Sequence, residues 1–197
     1  MKQIIDFPCI PFAQLPTPLY KLENLSREIG KNIYIKRDDM TGVALGGNKV
    51  RKLEFLLADA RDKGVDVVLT AGGPQSNHAM LTAACAGRLG VNSILVLKKW
   101  GKLTGGNLIL NGIFGAEVRM VDTDSYDDVY AEMTRIMGSS SGRRATLLMP
   151  FLWAARSLWA ALDTSTVRRK LHTRRKNWTL PSMLSSAPPV PAVPMRA

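Results

Sequence analysis

The chain has 197 residues, of which 46% are hydrophobic and 22% charged, with a formal net charge of +11 and two cysteines. That length allows one large domain or two small ones and enough apolar content to bury a core. Cys9 and Cys85 are too few for a disulfide framework or a metal site. No apolar run approaches membrane-spanning length, and the first residues lack the apolar stretch of a secretory signal, so the expectation is a cytoplasmic protein with no metal and no membrane contact.

The basic excess is unevenly placed. Residues 1–138 hold 17 Lys and Arg against 15 Asp and Glu, whereas residues 139–197 hold 10 against 1. A strongly basic chain ordinarily points to an anionic partner such as nucleic acid. Here the body is near neutral, and no nucleic-acid partner is expected for it.

In chain order, Pro16-Thr17-Pro18-Leu19 is rigid and extended, because each proline fixes its own φ and restrains the residue before it. Leu22 to Ile29 is predicted as a short helix closed by Gly30. Asn32 to Lys36 alternates and is rich in β-formers, a strand, followed by the charged Arg37-Asp38-Asp39 and a flexible run from Thr41 to Gly47. Gly46 and Gly47 allow a tight turn into a helix predicted from about Asn48 to Lys63, with Val50, Leu53, Leu57 and Ala60 on one face. Lys49 opens that helix. The positive helix end works against a protonated amine, and Schiff-base chemistry needs the neutral one; a solvated lysine beside Arg51 and Lys52 is the plain alternative.

From there the pattern is regular. Val67–Thr70 is predicted as a buried strand, Ala71–His78 as a loop, and Ala79–Leu89 as a helix closed by Gly90, with Cys85 a small core residue. Ser93–Leu97 is a strand, Asn107–Phe114 a helix ended by Gly115, Glu117–Val121 a strand, and Tyr126–Met137 a helix. Strand and helix alternating through short joins means βαβ units and a parallel sheet. Strands apolar on both faces mean helices on both faces of that sheet. In such α/β sheets ligands sit outside the carboxyl ends of the strands, which selects the loop ending in Gln75-Ser76-Asn77-His78. Ser76 or Asn77 suits an N-cap, and His78 is the only histidine of residues 1–138.

These residues, in order and spacing, resemble one family. Pro16-Thr17-Pro18-Leu19, Ile35-Lys36-Arg37-Asp38-Asp39, Gly46-Gly47-Asn48-Lys49 with Arg51-Lys52-Leu53-Glu54, and Gln75-Ser76-Asn77-His78 are similar to motifs of the D-cysteine desulfhydrase and 1-aminocyclopropane-1-carboxylate deaminase family. Those are fold-type-II pyridoxal-phosphate enzymes with a fold like the β subunit of tryptophan synthase. The likeness runs from about residue 10 to 138. It implies pyridoxal 5'-phosphate as cofactor and a small amino acid as substrate. Lys49 matches the lysine that forms the internal aldimine and moves protons at the substrate carbons. Asn77 matches the asparagine at the cofactor's phenolic oxygen, and Ser76 the serine that contacts the substrate carboxylate and takes part in ring opening in the deaminases. Gln75 and His78 match the flanking substrate-side positions. The implied reaction is D-cysteine to pyruvate, ammonia and sulfide, with cyclopropane deamination or a sulfo-lyase reaction on cysteate as alternatives, in a homodimer. Residues 1–48 would belong to the family's larger domain and residues 49–138 form its smaller βαβ domain.

Residues 139–197 depart from the family, which is longer and continues into a glycine-rich phosphate loop. This stretch is basic, carries Trp153, Trp159 and Trp178, and ends rich in proline. Translated one base earlier, Trp153-Ala154 and Trp159-Ala160 each force a glycine, and Pro150 to Ser165 permits a family-like Leu-Pro-Val-Gly-Gly-Ser run. The expectation is an aberrant, frameshifted tail beginning between about Met137 and Met149 and without a selected fold. An inactive truncated product, or a protein binding through its basic tail, is the non-enzymatic alternative.

Overall fold

The computed structural model describes residues 7–99, 104–139 and 144–148. The chain first makes a small antiparallel pair, β1 (Leu19–Lys21) and β2 (Tyr34–Lys36), with Leu19 opposite Lys36. Helix α1 (Glu23–Ile29) joins them and stops at Gly30, whose φ of +72° is the left-handed conformation that helix ends favour.

Helix α2 (Lys49–Asp62) leads into the main sheet. There follow β3 (Val67–Gly72), α3 (Asn77–Arg88), β4 (Asn92–Lys98), α4 (Asn107–Ile113), β5 (Glu117–Val121), α5 (Tyr126–Ser139) and β6 (Ala145–Leu147). The four strands lie in the order β5-β4-β3-β6, all parallel, with Val67 level with Asn92 on one side and Ala145 on the other. Every residue of β3 is buried, as a strand covered on both faces must be.

The strands divide their side chains by parity. Val67, Leu69, Ala71 and Val96 pack with Val129, Met133 and Ile136 of α5. On the opposite face Val68 packs with α2 and α3, and Leu95 and Leu97 pack with Ala79 and Ala83 of α3. The N-terminal segment joins this second core through Ile10 and Phe12. It is tied down by Glu54, whose backbone oxygen accepts from Ile10 N at 3.0 Å and whose Oε1 accepts from Phe12 N at 3.0 Å and Ala13 N at 2.8 Å. Cys85 is buried in the same core, and burial pushes its thiol up to about 12, as an inert packing residue requires.

Three expectations need adjustment. β3 runs two residues past Thr70 and α3 starts two before Ala79, so Asn77 and His78 belong to a helix's first turn and the connection shrinks to residues 73–76. The stretch from Thr41 to Gly47 is pinned rather than flexible. Gly47 N donates to Asp38 O at 2.8 Å and to Thr41 Oγ1 at 3.1 Å, and Gly46 N donates to Val43 O at 2.7 Å. Finally, within residues 139–197, the stretch expected to lack a selected fold from a point between about Met137 and Met149, β6 pairs with β3, and Leu148 N donates to Leu69 O at 2.7 Å. Residues 149–197, with the tryptophans and most of the expected change of frame, lie outside the described residues. Among the described residues, no helix is long and apolar enough to cross a membrane.

Candidate active site

Helix α2 begins in a way that an isolated helix would not favour. Asn48 precedes it without a side-chain cap, no acid occupies the first turn, and the first four residues include Lys49, Arg51 and Lys52. The amides and dipole at that end are already positive. Arg51 is compensated. Its Nε donates to Asp38 Oδ2 at 2.7 Å and its Nη2 to Asp38 Oδ1 at 2.6 Å, and Thr17 Oγ1 donates to the same Oδ1 at 2.8 Å. Burial pushes the Asp38 carboxyl up, but the hydrogen bonds from Arg51 and Thr17 and the charges of Arg51 and Lys36 outweigh it and hold the group below its ordinary value. Three of the four sequence motifs thus meet in one cluster, which fixes the start of α2. Among the described residues Lys49 and Lys52 have no ion pair with an acid.

The turn before Lys49 is built on glycine. Gly46 has φ +74°, and a Cβ on it would stand 1.7 Å from the Asp39 carbonyl oxygen. A Cβ on Gly47 would stand 3.4 Å from Leu81 Cδ1, so this turn lies on α3.

The second half of the site is the turn from β3 into α3. Ser76 is the N-cap of α3, with Oγ accepting from Ala79 N at 3.2 Å. Its side chain is pressed onto the end of β3, where a Cβ on Gly72 would lie 2.7 Å from Ser76 Cβ. Asn77 is exposed and follows directly. A polar network holds the turn against α4. Asn107 N donates to Gln75 Oε1 at 3.0 Å, Gln75 Nε2 donates to Gly105 O at 3.3 Å, and Asn107 Nδ2 donates to Gln75 O at 2.9 Å and to Asn77 Oδ1 at 2.8 Å.

His78 links the two halves. It is 5% exposed, and among the described residues its ring nitrogens make no well-formed hydrogen bond, the Leu148 backbone being only a weak partner. Burial above all, then the charges of Lys52 and Lys49, push its pKa down to about 3, against the Leu148 backbone, which raises it. It is a neutral imidazole at ordinary pH. Lys52 is also drawn in: burial first, then the charge of Lys49, lowers it to about 8. Two lysines that pair with no acid among the described residues therefore share a site with the opening turn of α3.

All five residues singled out in the sequence fall here. Lys49 opens α2, and Gln75, Ser76, Asn77 and His78 line the turn at the carboxyl end of β3. His78 is part of the packed interior. Lys52 and Asn107 were missed. Lys52 carried a legible signal, since three residues from Lys49 on a helix means the same face. Asn107 carried none, because its partners lie 32 and 30 residues away in sequence.

Comparison with known proteins extends this picture. Residues 10–158 match the family described as pyridoxal-phosphate dependent enzymes. A protein of Pyrococcus horikoshii, provisionally named as a 1-aminocyclopropane-1-carboxylate deaminase, is 46% identical over 149 residues, covering 75% of this chain and 46% of that protein. The D-cysteine desulfhydrase of Salmonella typhimurium is 45% identical over 144 residues, covering 69% of this chain and 44% of the enzyme. A crystal structure of an ACC deaminase homologue superposes with a TM-score of 0.68 at 44% identity, over 75% of this chain and 46% of the other. The chain spans about half the length of the curated relatives it matches.

Proposed function

The chain belongs to the pyridoxal-phosphate-dependent enzymes, and from that premise we propose that it carries the lysine half of a lyase site acting on a small amino acid, D-cysteine in the first place. The observation that carries the reading is the meeting of two acid-free lysines at the start of α2 with the Ser76-Asn77 turn, joined by a buried His78 that feels both lysine charges.

The residues present fit the cofactor. An anionic group suits the positive, uncapped start of α2, which lacks an acid of its own. The buried His78 ring, which makes no well-formed hydrogen bond, and the NH2 of the exposed Asn77 are polar groups with hydrogen-bonding capacity that the described residues leave in reserve. Lys49 would hold the cofactor covalently, and Asn77 would donate to its phenolic oxygen. When bound, pyridoxal phosphate supplies an electron sink for charge developing at the substrate's α-carbon.

The remaining work falls to the chain. Ser76, rigid as an N-cap, keeps its hydroxyl hydrogen for a substrate carboxylate. The amine of Lys49 takes the proton from the α-carbon as sulfide leaves the β-carbon, and a proton is then delivered to that β-carbon, which becomes the methyl group of pyruvate. Lys52 keeps positive charge beside Lys49 at neutral pH without a carboxylate to cancel it, which favours an anionic substrate. His78 stays uncharged and so adds no third positive charge. On D-cysteine the overall change takes up one water and releases pyruvate, ammonia and sulfide. The name of the Pyrococcus relative supports a second reading, in which a cyclopropane amino acid is opened at the same site.

The test is a visible absorbance spectrum of the chain with pyridoxal phosphate, beside Lys49→Ala. A band that disappears in the variant supports the lysine assignment; a band of equal strength in both overturns it. Sulfide release from D-cysteine against 2-oxobutanoate release from the cyclopropane substrate then separates the two readings.

A further inference from the structure

We propose that Asn107 is a positioning residue that decides which side of the Asn77 amide faces the crevice. The inference rests on the reading of Asn77 as the residue that meets the cofactor's phenolic oxygen, and it adds a residue from another helix to that contact.

The argument begins from groups whose polarity is not in question. A side-chain amide has one accepting and one donating end, and the two look alike until their partners are known. The Gln75 backbone carbonyl can only accept, so the Asn107 end that meets it at 2.9 Å must be Nδ2. That NH2 has one further hydrogen, and it points at Asn77 across 2.8 Å. Asn77 must therefore present Oδ1 to Asn107, which turns its own NH2 away. Asn77 is exposed, whereas Asn107 is only 8% exposed, so the donor faces the open side and the device that orients it is buried.

Asn107 is itself held from two sides. Its backbone N–H can only donate and meets Gln75 Oε1, which leaves Gln75 Nε2 to donate to the Gly105 carbonyl. Each amide orientation in the chain of contacts is thus set by a backbone group. Gly106 makes room for it, since a Cβ there would lie 2.3 Å from Gln75 Oε1. The consequence is chemical: an acceptor such as a phenolate oxygen finds a donor at Asn77 already aimed, and the cost of reorienting an amide is removed from binding.

Asn107→Asp tests this with almost no change of shape. An aspartate offers only acceptors: it gives up the bond to the Gln75 carbonyl, and Asn77 must turn its NH2 inward to meet it and present Oδ1 to the crevice. Solvent exchange of the side-chain amides in the 15N-labelled chain, without any ligand, reads this directly. The Asn77 NH2 is expected to exchange freely in the unaltered chain and to slow by about tenfold in Asn107→Asp, the worth of one hydrogen bond. An Asn77 NH2 already protected in the unaltered chain, or unchanged in the variant, overturns the inference.

Titration with pyridoxal phosphate supplies the second reading. Asn107→Asp and Asn77→Ala should each weaken binding by about tenfold, and the double variant no further than Asn77→Ala alone. A further loss in the double variant would mean that the new charge, not the amide, is responsible, and would overturn the inference. If Asn77→Ala leaves binding intact while the exchange pattern holds, the functional reading of Asn77 fails and its orientation by Asn107 stands. Should the aspartate variant not fold, Asn107→Ala carries the same binding comparison.

Discussion

Between pH 6.5 and about 3, the unfolded chain takes up a proton on His78 that the folded chain refuses, because burial and the charges of Lys52 and Lys49 hold the folded pKa at about 3. The unfolded state binds more protons across that window, so stability falls as pH falls, by up to about 1.4 kcal/mol per pH unit. Asp38 also loses stabilisation in acid, since its folded pKa is depressed, while Glu54, raised by burial, acts in the opposite sense. Comparing variants isolates the histidine. His78→Leu should match or exceed the unaltered stability at pH 7, since buried nitrogens without a well-formed bond among the described residues disappear, and should lose stability less steeply from pH 6.5 down. Denaturant melts at several pH values check it; parallel curves for the two proteins would show that His78 does not titrate as described.

At the scale of single elements, the Gly46-Gly47 turn sets where α2 begins. Gly46→Ala places a β-carbon against the Asp39 carbonyl at 1.7 Å and strains a φ of +74°. Gly30→Ala meets nothing within 4 Å and carries strain alone, at φ +72°. The expected costs are about 1 kcal/mol for Gly30→Ala and at least about 3 kcal/mol for Gly46→Ala. Equal costs in thermal melts would mean that the turn relaxes without effort. Because the turn delivers Lys49, Gly46→Ala should also weaken the Lys49-dependent absorbance, which Gly30→Ala should leave alone.

These elements also show what could be read in the sequence. Val67–Leu69 and Leu95–Leu97 are apolar on both faces, and that pattern can mean little besides a covered parallel strand. Gly30 and Gly115 stop helices by local chemistry, which is likewise visible in one dimension. Asn77 and His78 were placed in a loop because glycine and proline at 72–74 obscure where the helix starts; the Ser76 cap decides it. β6 was missed for a different reason. Three residues, Ala145–Leu147, carry too little pattern to be distinguished from a tail, and only their partners in β3 make them a strand. The burial of Lys52 and the reach of Asn107 to Asn77 are products of packing, not of spacing.

For the whole molecule, the strand order β5-β4-β3-β6 has a consequence in time. β3, β4 and β5 follow one another along the chain and can pair as they emerge from the ribosome. The other flank of β3 must wait for residues 144–148, since Arg144 N reaches Asp66 Oδ2 across a sequence separation of 78. Until then β3, an inner strand of the four described, is an edge, apolar and open to any passing strand. A chain stopped at residue 139 should therefore clump at concentrations where one stopped at 148 stays dispersed, which light scattering would show; equal behaviour would mean that the last strand seals nothing. The nascent protein is thus vulnerable in the interval after α5 is made, when the turn from β3 into α3 has already been synthesised but β3 still has an open side.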